Sequence, residues 1–126
     1  MLSVNLEFGK TAETAAVKFL KAKGYKILER NYKNKFGEID IIARQKGVIC
    51  FLEVKARHSL KLGTPQEAVS FRKQRQICRV AVSYLMSKNI FDSPARFDVL
   101  GLLYIDNQPQ ITLIKDAFEL SADFTV

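Results

Sequence analysis

One histidine, His58, among 126 residues excludes the metal sites that need two imidazoles, paired-histidine zinc centres and two-histidine nuclease motifs alike. His58 precedes Ser59, but adjacency in sequence does not create hydrogen-bond geometry, and an exposed loop histidine is the plain reading. No Gly-rich phosphate loop of either common type and no G-x-S-x-G elbow occurs. The two cysteines, Cys50 and Cys78, lie inside apolar patterns; they suggest no disulfide framework and point to a reducing cytoplasm. No apolar run approaches the ~20 residues of a spanning helix, and residues 1–10 lack the basic start and apolar stretch of a secretory signal. No repeat, low-complexity segment or linker interrupts the chain, so residues 1–126 read as one domain, long enough for a real core.

Acid is scarce over most of the length. Residues 1–91 carry 18 Lys/Arg against 7 Asp/Glu, residues 92–126 carry 2 against 6, and the net charge is +7. A basic body suits a polyanionic partner, although a solvated surface has the same composition.

What the chain does have is clear periodicity. Phe8, Ala12, Ala15, Ala16, Phe19 and Leu20 form the apolar stripe of a helix over 8–23, with Glu13 at its edge and Gly24 as a C-terminal stop. Strands are expected over 25–32, 37–43, 48–55, 96–105 and 110–115. Lys33-Asn34-Lys35, Arg44–Gly47 and Asn107-Gln108-Pro109 read as connections. Thr64-Pro65-Gln66-Glu67 has the form of a capping box and predicts a helix from Thr64 to about Lys88. The order α-β-β-β-α-β-β predicts an α/β fold, three antiparallel strands followed by a helical crossover to a parallel neighbour. Strands apolar on both faces predict helices on both sides of a mixed sheet.

Into that apolar background the sequence sets acids: Gly37-Glu38-Ile39-Asp40, then Phe51-Leu52-Glu53-Val54-Lys55. Carboxylates there are costly to bury without compensation, and a divalent cation is one compensation. A cation flanked by lysine is a common device for cutting phosphodiesters. Strand alternation puts Glu38, Asp40 and Ile42 on one face, and Glu53 with Lys55 on one face. If the hairpin loop has even length, pairing Ala43 with Val48, then Asp40 lies opposite Phe51 and diagonal to Glu53, ~7–8 Å apart at the backbone. An odd loop separates the two acids onto opposite faces. In the long helix, Gln66, Ser70, Lys73, Ile77, Ala81 and Tyr84 share a face that turns from polar to apolar, which suggests a wet pocket at its start. Arg72, Arg75 and Arg79 form a separate outward stripe, either a track for phosphates or a solvated face.

These residues carry a family resemblance. The segments Gly9-x3-Glu13-x2-Ala16, Gly37-Glu38-Ile39-Asp40-x2-Ala43, Phe51-x-Glu53-Val54-Lys55-x-Arg57 and Pro65-x-Glu67-Ala68-Val69-x3-Lys73 resemble those of the bacterial YraN-like proteins. That group is similar to archaeal Holliday-junction resolvases of the PD-(D/E)XK nuclease superfamily; Ile39 stands where a proline is usual in the motif. The resemblance implies a restriction-endonuclease-like αβββαβ core. It implies Asp40 and Glu53 as ligands of Mg²⁺ or Mn²⁺ with the Val54 carbonyl, Glu13 contributing directly or through water, and Lys55 orienting the attacking water. The function it implies is a metal-dependent endonuclease on DNA, at branched or junction substrates. The alternative is an inactive nuclease-fold module that holds nucleic acid or a protein partner. Nucleic-acid contacts are expected from Lys33, Lys35, Arg57, Gln66, Arg72 and Lys73. Related resolvases are dimers, and Val82 and Met86 on the outer side of the long helix are the residues that could seed a homodimer. No membrane association is expected.

Overall fold

The apolar run from Val48 to Leu52 demands cover on both sheet faces, and it becomes part of the middle strand of the fold. The computed structural model describes residues 2–59, 61, 63–65 and 67–120, with side chains from residue 7 onward. The elements are α1 (Leu2–Ala22), β1 (Lys26–Asn34), β2 (Gly37–Gln45), β3 (Val48–Arg57), α2 (Phe71–Ser87), β4 (Ala95–Ile105) and β5 (Gln108–Phe118). The strands lie side by side in chain order; β3 and β4 are parallel and the other neighbours antiparallel. α2 makes the crossover that a parallel pair requires. This is an α/β fold consistent with a restriction-endonuclease-like core.

Alternation along β3 divides the core. Cys50 and Leu52 pack with Ala12, Ala16, Val17 and Leu20 of α1, while Ile49 and Phe51 pack with Ile77, Val80, Ala81 and Tyr84 of α2. In β2 the alternation breaks at Asp40. Ile41 and Ala43 face α1, but both Ile39 and Ile42 face α2. The partner strand is irregular at the same place: Asn31, between the pairs Arg30↔Ile41 and Tyr32↔Ile39, has φ 52. The simple face assignment from period 2 therefore fails at the acid itself.

Other expectations shift for local reasons. The β2–β3 loop is even, as required, but it is the two-residue turn Lys46–Gly47 (φ 50 and 79), so Gln45 pairs with Val48 and Ala43 with Cys50. Left-handed two-residue turns match strand twist, which favours the tighter hairpin. β1 runs on through Asn34, leaving only Lys35 and Phe36 to turn. Asp106 and Asn107 (φ 51 and 64) make the last turn, and Pro109 falls in β5, an edge strand where a missing N–H is tolerated. The Thr64–Glu67 capping box forms, with Glu67 N donating to Thr64 Oγ1 at 3.2 Å and Thr64 N to Glu67 Oε1 at 3.0 Å. It closes a separate turn, docked where Pro65 packs on Gly101 with no room for a Cβ. Extended Ser70 (φ −63, ψ 161) then starts α2, its side chain accepting from Lys73 N at 3.2 Å.

Candidate active site

Two charged side chains are buried among the described residues, Glu53 and Asp98, and they are treated very differently. Asp98 receives Arg96 Nε at 3.0 Å on each oxygen and Asp116 N at 2.9 Å; Arg96 in turn donates to Tyr25 and Gln45. That acid is satisfied by its own chain and is structural. Glu53 is 5% exposed, yet its Oε2 has no hydrogen-bond partner. Lys73 Nζ approaches Oε2 to 3.6 Å, an ion pair too long for a hydrogen bond. Burial first, and then the adjoining Asp40 carboxyl, push the Glu53 carboxyl up to about 8 against the opposing charges of Lys73 and Lys55.

Asp40 reaches this spot from the next strand. Regular β2–β3 pairing ends at Ile41↔Leu52, and just beyond it Val54 N donates to Asp40 Oδ2 at 2.8 Å. The register differs by two residues from the expected one, so Asp40 on β2 and Glu53 on β3 each stand next to the last regular pair, Ile41↔Leu52, and their carboxyls adjoin. Asp40, Val54 and Lys55 line a depression under α1 together with Phe8, Ala12 and Glu13. Glu13 sits in its wall with Oε1 already engaged, accepting from Arg30 Nε at 2.9 Å and Asn31 Nδ2 at 3.0 Å. Among the described residues, no three Asp, Glu, His or Cys side chains gather as a metal cluster; the acids that meet are a pair.

The expected nucleic-acid contacts divide. Lys73 belongs to the acid pair. Lys33 stands 3.9 Å from Glu38 across the β1–β2 hairpin, which makes Glu38 a hairpin-end surface acid in a weak ion pair. Arg57 Nη1 donates to Gly63 O at 2.8 Å and tethers the loop after β3. Lys35 and Arg72 are exposed, and Gln66 lies outside the described residues. Met86 is 65% exposed on the outer side of α2, with Val82 half-buried. Sequence reasoning missed Arg30 and Asn31 as the partners of Glu13; the one available signal was an Asn in mid-strand, a residue that tolerates left-handed backbone.

The family pattern of the uncharacterised protein family UPF0102 matches residues 12–102. The chain belongs to UPF0102. The UPF0102 protein of Geotalea uraniireducens is 48% identical over 118 residues, covering 93% of each chain. That of Syntrophus aciditrophicus is 47% identical over 120 residues, 95% of this chain and 94% of its own. That of Acetivibrio thermocellus is 49% identical over 117 residues, 87% and 89%. The span matched to UPF0102 contains Glu13, Asp40, Glu53, Lys55 and Lys73.

Proposed function

We propose that this UPF0102 protein is a metal-dependent endonuclease that hydrolyses DNA phosphodiester bonds, at branched or junction DNA. The observation that carries the reading is the buried Glu53 oxygen without a donor, beside a second carboxyl and two lysines. An acid pair that must otherwise hold a proton is suited to exchange it for a cation. The donor set consists of hard oxygens, Asp40, Glu53 and the Val54 carbonyl, and suits Mg²⁺ or Mn²⁺, which take one or two carboxylates and keep several waters.

When bound, such an ion supplies an acidified water and counter-charge for the scissile phosphate. The chain's own groups do the rest. Lys73 balances Glu53 from the α2 side. Lys55, two residues along β3, orients the attacking water and meets the charge that builds on the phosphate oxygens. Arg30 and Asn31 hold Glu13 in place on the α1 side, where it positions water.

The test is a cleavage panel of duplex, single-strand, flap and four-way-junction DNA with Mg²⁺ or Mn²⁺. Asp40→Asn and Lys55→Ala each abolish cleavage, by at least about a hundredfold, and leave DNA binding within about twofold. Normal binding by the wild type with no cut in any substrate and either metal defeats the nuclease reading in favour of a binding module.

A further inference from the structure

Beyond the acid pair lies a groove of which the catalytic reading uses only Lys73. It is about 670 Å³, between the β1–β2 turn and the first turns of α2, and its walls include Phe36, Phe71, Arg72, Lys73, Arg75 and Arg79. No acid lines it. Phe71 is 83% exposed, the most exposed of the large hydrophobic side chains described. The Arg79 guanidinium lies 5.3 Å from the centre of the Phe36 ring. Gly37 (φ 147) leaves no space for a Cβ against Gln76 of α2, so the hairpin end presses onto the helix and brings Phe36 to the groove.

This arrangement gathers positive charge on one face of α2. Arg72, Arg75 and Arg79 follow one another at helical spacing, where like charges repel. No acid stands in the first turn of α2, where the helix dipole favours one and disfavours cations. Phosphates would relieve both, and a bare phenyl ring among cations matches a chain that alternates phosphates with flat apolar faces.

We infer that this groove binds single-stranded nucleic acid, stacking an unpaired base on Phe71 and pairing phosphates with Arg72, Arg75 and Arg79. A duplex hides the faces of its bases, so only an unpaired segment can use the phenyl ring. Lys73 lines the groove and also meets Glu53 at 3.6 Å, so the bound strand leads to the acid pair. The inference rests on the nuclease reading for that direction, and it names the substrate as a strand leaving a duplex rather than the duplex itself.

The experiment is fluorescence anisotropy in EDTA with fluorescein-labelled oligo(dT) and, separately, a blunt hairpin duplex. Phe71→Ala weakens oligo(dT) binding by about tenfold and leaves duplex binding within about twofold, while Phe71→Tyr keeps both. Because the ring is exposed, unchanged thermal unfolding of Phe71→Ala is expected and is checked alongside. An oligo(dT) affinity untouched by Phe71→Ala, an equal loss on duplex, or preference of the groove for oligo-glutamate over oligo(dT) overturns the inference. A wild type that cuts DNA but shows any of those results keeps the nuclease reading and loses only the groove. A wild type that cuts nothing yet shows the selective Phe71 effect does the reverse.

Discussion

At Glu53, hydrophobic cover and charge are in direct conflict. Its carboxyl is pushed up to about 8 by burial and by Asp40. The unfolded chain gives up this proton near the ordinary value of 4.5, whereas the folded metal-free chain keeps it to about 8. Between those values the native state binds more protons, so stability falls as pH rises, the reverse of a salt-bridged carboxylate. In EDTA the melting temperature is therefore expected to drop by roughly 5 °C or more from about pH 5 to about pH 8. Glu53→Gln, similar in shape and unable to ionise, removes most of that slope. A slope unchanged by Glu53→Gln assigns the pH dependence to other groups and removes the conflict from this residue. Glu53 and Lys55 were legible in the sequence because an acid and a lysine interrupt an apolar strand. The engagement of Glu13 was not legible, since Arg30 and Asn31 lie 17 and 18 residues away and only the fold brings them together.

Among the elements, α2 separates local signal from tertiary outcome. Thr64-Pro65-Gln66-Glu67 looks like a helix start and makes the corresponding hydrogen bonds, yet Ser70 is the cap on which α2 depends. Pro65 on Gly101 fixes the earlier turn to β4, and Val69, buried against the α2 core, redirects the chain before the helix begins. Ser70→Ala should cost about 1 kcal/mol, a melting shift of a few degrees by circular dichroism. Thr64→Ala, which loosens only a short turn, should cost less than half of that. An equal or larger loss at Thr64 would make the capping box the true nucleus of the helix. Strand existence and helix faces were readable from period 2 and period 3.6 because they are set by which residues reach the core. The turns were displaced because several adjacent polar residues fit equally well; left-handed Lys46–Gly47 and Asp106–Asn107 won by matching sheet twist.

Across the whole molecule, the uneven charge acquires a direction. The C-terminal end of β3, the β1–β2 turn and the start of α2 share one end of the sheet, which carries Lys33, Lys35, Arg57, Arg72, Lys73 and Arg75. Asp98 and Asp116 gather with Arg96 toward the other end, near the β2–β3 turn. A basic end that contains the acid pair draws a polyanion toward the groove and away from the opposite turn. Three groove arginines meeting phosphates predict that affinity for oligo(dT) falls about twentyfold between roughly 50 and 200 mM salt. Position separates this from an effect of net charge alone. Lys35→Ala and Lys46→Asn remove the same charge from opposite ends, and asparagine accepts the left-handed backbone at Lys46. Lys35→Ala should weaken binding about threefold to tenfold and flatten the salt slope by about one unit, whereas Lys46→Asn should leave both nearly unchanged. Equal losses from the two variants would mean that the protein attracts nucleic acid only through its overall charge, with no preferred end.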